Sequence, residues 1–298
     1  MIKEWWQYWT TPVHIPEARK MGFLHEAIAM AARRERCFSA WQSHYQKCQQ
    51  AILHLAKACH SQDCLVILGA GSLQDIPLPR LSSQFKKVLL VDIVFLKESR
   101  DYAKRYPNVE LHEIEITGWV APIYQRRLVR PSRIKSTLIK IAQNLGKTDP
   151  EFFEHAKIPS PAVQLAKIWA ENTVSAVVSL NLFTQIPLIP VRWLIEKAQL
   201  PEQLAGEVGT MIVKQHLDFL QQQSCPVCLI ADREDIEVNQ AGEVLDSWDP
   251  TWDVPLPEPE TQWQWWVMPI GEYDRQKGQQ NRVGVNYFHL DGGVKGFK

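Results

Sequence analysis

The chain is poor in the features that would make its class obvious. It has 6 cysteines in 298 residues, too few and too scattered for a disulfide framework. It has no excess of charge, since 33 basic and 33 acidic residues cancel, so no global field recruits nucleic acid or a membrane surface. Its longest apolar stretch, VSAVVSLNLFTQIPLIPVRWLI, is interrupted by Ser, Asn, Thr, Gln, Pro and Arg, which excludes a simple membrane span. The start, MIKEWWQYWTTP, has neither an apolar core nor a small-residue cleavage site, so a cytoplasmic compartment is expected. No internal repeat or low-complexity tract is present. With 45% apolar and 22% charged residues, the composition is that of a globular protein with a sizeable core.

The cysteines that are present are read as packing residues. Cys37, Cys48 and Cys59 recur every eleven residues, which keeps them on one helix face. Cys225 and Cys228 have C-x-x-C spacing without a second pair, at the start of an apparent strand rather than a helix. A tetrahedral zinc site needs four ligands, so no metal is expected.

Residues 1–60 read as a helical extension, rich in Ala, Leu, Glu, Gln and Arg with no Gly or Pro after Gly22. From residue 61 to 298 the texture is that of an α/β domain. LVIL and VLLVDI are continuous apolar runs, as in parallel strands covered on both faces. VELHEIEI alternates, SAVVSLNLF is a fourth strand and PVCLIADREDIEVN a fifth. QWQWWVMPIGEY and NRVGVNYFHLDG follow with no helix between them. The expected fold is therefore a mostly parallel, doubly wound, Rossmann-like sheet with antiparallel C-terminal strands and an N-terminal helical extension. A basic helical insert is expected at about 118–172.

Function is sought at the C-terminal ends of the strands, where open α/β sheets bind ligands. The first apolar run feeds Gly69-Ala70-Gly71, and the second ends in Asp92. Glycine lets backbone N–H groups approach a ligand closely, and an acid at the next strand end can accept from ribose hydroxyls. A dinucleotide fingerprint requires a third glycine where Gln74 stands. Alternatively, the glycines simply make a tight turn, and Asp92 caps a helix.

The order of elements resembles the class I S-adenosylmethionine (SAM)-dependent methyltransferases. VILGAGS stands as motif I, VLLVDI as motif II, VELHEIEITG as motif III and SAVVSLNLF as motif IV, from about Leu65 to the C-terminus. The helical preface and strand-rich tail also fit that family, whose sheet closes with an antiparallel hairpin. The resemblance implies S-adenosyl-L-methionine as cofactor, with Gly69, Ala70 and Gly71 beside its methionine moiety and Asp92 on its ribose. It implies Glu115 near the adenine and Asn181 facing the transferring methyl. The departures are Ile67, where the family has an acid, Leu73, where it has a third glycine, and Asn181-Leu182-Phe183 in place of the Asn/Asp-Pro-Pro-Tyr signature of amino-methylating members. From the residues alone, Glu115 reads as a solvent-facing strand residue and Asn181 as a turn residue.

A base is needed only for an acceptor that must lose a proton. His25 is taken as the candidate from the helical extension, alongside His14, Glu26 and His44. Trp41, His44 and Cys48 share a helix face and read as packing against the sheet. The insert carries Arg126, Arg127, Arg130, Arg133, Lys135, Lys140 and Lys147 without an acid among them, while residues 231–260 are acidic. These patches complement each other within the fold or across a homo-oligomer, or the basic one meets an anionic acceptor. Apart from Tyr124 no aromatic is interleaved with the basic residues, so nucleic acid is not the expected partner. The Trp groups at 5, 6 and 9 and at 263, 265 and 266 are expected to cover the sheet or pack together.

Three readings follow: a SAM-dependent methyltransferase acting on a small or anionic acceptor, a catalytically inactive methyltransferase-like binding module, and an NAD(P)-dependent oxidoreductase. The module reading predicts a pocket narrowed by Ile67 and Leu73. The oxidoreductase reading lacks a catalytic Tyr/Lys or His/Asp arrangement.

Overall fold

The computed structural model describes residues 2–144 and 150–290, so Lys147, Asp291 and Gly292 of the expected features lie outside it. Helices α1 (Ile2–Thr10), α2 (Pro16–Met21), α3 (Phe23–Arg36) and α4 (Phe38–Ala58) precede strand β1 (Cys64–Leu68). The chain continues through α5 (Leu78–Gln84), β2 (Lys87–Asp92), α6 (Lys97–Ala103) and β3 (Val109–Glu113). Helices α7 (Val120–Tyr124), α8 (Pro131–Gln143), α9 (Pro150–Ala156) and α10 (Pro161–Glu171) lead to β4 (Val174–Leu180). Then come α11 (Leu188–Glu196), α12 (Glu202–Gln221), β5 (Val227–Asn239), β6 (Val244–Trp248), β7 (Thr261–Met268) and β8 (Lys277–Phe288).

The strands lie in the order β3-β2-β1-β4-β5-β8-β7, with β6 pairing β5 off that path. The pairs among β1 to β5 are parallel, while β8 is antiparallel to both β5 and β7. This is the expected mixed α/β sheet, mostly parallel and closed by antiparallel strands. Strand order reverses between β1 and β4, so the loops leaving those two strands splay apart and open a crevice above the sheet edge.

Alternation along each strand sorts the core into two layers. Val66, Leu68, Leu89, Val91, Val177 and Leu229 face one side, with the apolar stripes of α8, α10, α11 and α12. Leu65, Ile67, Val88, Leu90, Val178 and Ile230 face the other. There α4 contributes Trp41, Cys48, Ile52 and Leu55, and β7 contributes Trp263 and Trp265. Both faces are thus covered, which is why β1, β2 and β4 read as unbroken apolar runs. Cys37, Cys48 and Cys59 are buried along this seam, as their spacing predicts.

Several local readings are corrected. Strand β3 ends at Glu113, so Glu115 belongs to the following loop rather than to a strand. Strand β6 is exposed at all five positions and carries no buried face, so the acidic segment gave no periodicity to read. Trp5, Trp6 and Trp9 do not cover the sheet, since they are 62–64% exposed on α1 and only Trp5 and Trp9 pack edge to face. Among the described residues, Arg126, Arg127, Arg130, Arg133, Lys135 and Lys140 form no salt bridge with the acidic segment. No helix among the described residues is long and apolar enough to cross a membrane.

One glycine fixes how the acidic segment is held. A Cβ at Gly209 of α12 would overlap the Trp252 ring, whose indole N–H donates to the Thr184 carbonyl at 3.0 Å. Replacing Gly209 by Ala is therefore expected to lower unfolding stability by about 1–3 kcal/mol, the cost of overpacking, despite alanine's better helix propensity. Denaturant titration checks this, and a stabilised variant would show that Trp252 is not seated there.

Candidate functional site

The chain leaves β1 at Leu68 and turns through Gly69 and Gly71, both with positive φ (79° and 45°). Gly69 and Ala70 donate their N–H groups to the Val91 carbonyl at 2.9 and 3.2 Å, which ties the turn to the end of β2. At Gly69 a Cβ would lie 2.7 Å from the Leu180 carbonyl, so that glycine is needed for close packing against the end of β4. At Gly71 a Cβ would lie 3.6 Å from Asp92 Oδ2, inside the corner itself. Leu73 also has positive φ, 63°, and its side chain goes to the core below, 1% exposed.

Asp92 closes the corner from the other side. Its Oδ2 accepts from the Gly71 N–H at 2.8 Å and its Oδ1 from the Ile93 N–H at 2.7 Å. The Val94 amide also bonds this carboxylate, which leaves it part of its acceptor capacity. Burial pushes the Asp92 carboxyl up to about 6, although the bonds from the Gly71, Ile93 and Val94 amides pull it back.

Glycine turn and carboxylate open onto one cavity of about 310 Å³. Gly69, Ala70, Gly71, Asp92, Glu115 and Asn181 all line it. Apolar walls come from Ile93, Val94, Ile114 and Ile116 at one end and from Trp41, Tyr45 and Trp265 at the other. Ile67 and Leu73 do not line it, so the narrowing expected of an inactive module has no source in those side chains.

Glu115, on the cavity wall, also holds its own loop. Its Oε1 accepts from Thr117 N–H at 2.7 Å and from the Thr117 hydroxyl at 2.5 Å, and its Oε2 accepts from Val120 N–H at 3.2 Å. It therefore anchors the loop into α7 rather than facing solvent. The same loop is pinned by Trp119, whose indole donates to Gln215 at 2.9 Å. His25 is corrected: it is exposed on α3 and is not among the cavity-lining residues, whereas Glu26 and Ala27 beside it are.

The group that sequence reasoning missed is Asp75, in the loop after the glycine turn. It stands beside Asn181 and His44, which β4 and α4 bring to the same point. Asn181 Nδ2 lies 3.1 Å from Asp75 Oδ2 and 3.2 Å from His44 Nε2. Asn181 itself has positive φ, 48°, a conformation Asn tolerates and which turns its amide back over the strand end. Burial pushes the Asp75 carboxyl up to about 6, with the Asn181 amide opposing and the Asp92 charge adding to the rise. No motif marks this position. The signal that existed was an acid four residues past the glycine turn.

His44 is stacked on Trp265, with ring centroids 4.0 Å apart, and is 2% exposed. Burial pulls its imidazole down to about 3, so it is neutral near neutral pH. Its Nδ1 accepts from the Trp263 indole N–H at 3.1 Å, and an indole can only donate. The imidazole proton is thus on Nε2, facing Asn181 and the Cys48 sulfur at 3.5 Å. That tautomer decides a second question. His44, Cys48 and Asp75 hold one possible ligand atom each within 4.8 Å of one another. A metal there needs the lone pair that Nε2 lacks and a thiolate, while burial holds the Cys48 thiol well above its ordinary value.

The tautomer also links Asn181 to Asp75. An ionised Asp75 takes a hydrogen bond from the Asn181 amide N–H, which leaves Asn181 Oδ1 buried without a partner. With the amide turned over, Oδ1 accepts from His44 Nε2–H, and Asp75 must then carry a proton to donate to it. The amide orientation and the Asp75 proton are one coupled choice.

No family model matches the chain, and no curated protein matches it. The solved structure of a proposed type II methyltransferase from Anaeromyxobacter dehalogenans is similar to it at 9% identity and a TM-score of 0.29. That likeness covers 81% of this chain and 96% of the other.

The buried acids predict a pH dependence. Asp75, Asp92 and Asp232 are each pushed by burial to about 6 and Asp235 to about 7, so the folded chain holds these protons more tightly than the unfolded chain. The stability they contribute is complete below their ordinary values near 4 and is lost as pH rises through about 6 to 7. His44 and His216, pulled down to about 3 and 4, act oppositely below about 6.5 but are fewer. Unfolding free energy is therefore expected to fall by about 1–2 kcal/mol between pH 5.5 and 7.5. Urea titrations at both pH values check the sign, and a rise would mean that these acids titrate ordinarily.

Proposed function

We propose that the chain is an S-adenosylmethionine-dependent methyltransferase. The observation that carries the reading is that the Gly69–Gly71 turn and the Asp92 carboxylate converge on a single cavity at the point where strand order reverses. A sheet closed by an antiparallel pair beyond β5, with a helical cap over the crevice, supports it further.

The residues present fit that cofactor. Asp92 keeps acceptor capacity for a ribose hydroxyl after the Gly71, Ile93 and Val94 amides are served. Gly71 leaves clear the space beside that carboxylate which a Cβ would occupy. Ile93, Ile114 and Ile116 supply apolar cover suited to an adenine face, and Glu115 positions that cover by anchoring its loop. Asn181 and Asp75 stand across the cavity from this end, where an acceptor would lie. SAM, when bound, supplies a methyl group on a sulfonium. The protein's own work is to hold an acceptor in line with it and to exclude water, and in-line positioning is the main lever for such a displacement.

S-adenosylhomocysteine and SAM are expected to bind one per chain in calorimetry and to raise the thermal midpoint. Replacing Asp92 by Asn removes a charged acceptor and is expected to weaken S-adenosylhomocysteine about 10- to 100-fold. Replacing Gly71 by Ala puts a methyl beside that carboxylate in a strained backbone and is expected to cost about tenfold. No heat and no stabilisation at millimolar ligand would overturn the assignment.

A further inference from the structure

The acceptor end of the cavity has its own chemical character. Its wall is aromatic and comes from elements far apart in the chain. Trp41 and Tyr45 from α4 meet edge to face at 6.2 Å, and Trp265 from β7 meets Trp41 the same way at 5.2 Å. Asp75 is the acid set into this wall. It is held by the Asn181 amide at 3.1 Å and has no salt bridge among the described residues. The other carboxylates lining the cavity are engaged. Glu26 pairs with Arg192, Glu98 accepts from Gln7, Glu115 anchors its loop and Asp92 takes the Gly71, Ile93 and Val94 amides.

The field at Asp75 is negative. Asp92 raises its carboxyl more than the Arg34 guanidinium lowers it, and Asp75 in turn raises the Tyr45 phenol. His44 contributes no charge, and its Nε2–H is turned to Asn181 and Cys48. Aromatic rings beside a carboxylate are matched by an organic cation, since the acid attracts positive charge and the rings give its apolar body a surface. An anionic acceptor, the expectation drawn from the basic insert, meets the wrong sign here. The insert's free cations are not among the cavity-lining residues.

We infer that this end of the cavity is a subsite for a small amine. Its apolar or aromatic body lies on the Trp41–Tyr45–Trp265 wall, and its protonated nitrogen pairs with Asp75. This deepens the methyltransferase reading by naming its acceptor class, and it rests on that reading only for the role of the bound amine, not for the binding itself.

The test uses the full chain with two benzyl probes of opposite charge, benzylamine and phenylacetate, followed by thermal shift and calorimetry. Benzylamine is expected to bind at least about tenfold more tightly than phenylacetate at pH 7.5. Replacing Asp75 by Asn is expected to bring the two within about threefold. In the wild type, benzylamine is expected to weaken as pH is lowered from 7.5 to 5. Asp75 then takes up its proton, while both probes keep their charges. This arm needs no variant to fold. The groups facing Asp75 are Asp92, Arg34, His44, Tyr45 and Cys48, and of these only Asp92 titrates in the same range with a like sign. The Asp75→Asn variant separates the two acids, because it abolishes the pH dependence only if Asp75 carries it. Equal or tighter binding of phenylacetate, no binding of either probe, or pH-independent benzylamine binding each overturns the inference. Repeating the series with S-adenosylhomocysteine keeps the two readings apart. Loss of nucleoside binding with Asp75-dependent amine binding intact overturns the methyltransferase and leaves the amine subsite, and the reverse pattern does the opposite.

Discussion

The hydrogen bond from Gly71 N–H to Asp92 Oδ2 is the constraint on which the site depends. It joins the turn after the first strand to the end of the second, and it does so only because the parallel register places Leu68 beside Val91, one residue before the acid. A shift of one residue would send Asp92 to the opposite face of the sheet and the Val91 carbonyl away from the Gly69 and Ala70 amides. The bond also makes a buried carboxylate tolerable. The Gly71, Ile93 and Val94 amides offset part of the desolvation cost, and the rest is visible as the raised Asp92 value. The corner is therefore held in place by an acid that keeps some acceptor capacity, which a ligand offering a hydroxyl donor would use.

The surroundings of the corner follow the same logic. His44 is deeply buried yet harmless, because a neutral imidazole with an indole N–H on one side carries no charge to desolvate. Asn181 does what an uncharged amide does well, giving Asp75 a hydrogen bond without cancelling its charge. Arg34 remains the single guanidinium among the cavity-lining residues. A site meant to hold an anion would not be built with this balance of acids and cations.

Much of the fold was legible in the sequence. Strands covered on both faces must be apolar at every position, so Leu65–Leu68 and Val88–Val91 announced themselves. The glycine turn and Asp92 were legible because backbone conformation and close approach restrict residue choice there. The misreadings have physical causes too. Glu115 follows an alternating strand, and nothing local says that β3 stops at Glu113 and that the next turn uses the acid as an anchor. His25 and His44 are both helical histidines in one segment. The helix face shared with Trp41 and Cys48 marks His44 as the packed one, but its partner on β7 lies more than 200 residues away in the chain (Trp263 to His44). Asp75 was invisible for the same reason, since its meaning comes from Asn181, 106 residues away.

The helical extension is accordingly more than an appendage to the sheet domain. Without α4 the antiparallel tail would expose Trp263 and Trp265, and without the tail α4 would have no partner for the face carrying Trp41, His44 and Cys48. Each buries the other, and the aromatic end of the cavity is the seam between them. Burial of this kind drives association of the two segments irrespective of any ligand, since large aromatic surfaces leave water together. A carboxylate set into that seam works against the same burial. Asp75 raises the cost of closing the cap over the sheet, and nothing on the protein pays it in full. Its retention at the joint is accounted for if closure is completed by a positive charge arriving from outside, which would make the cap's docking and the acceptor's binding parts of one equilibrium.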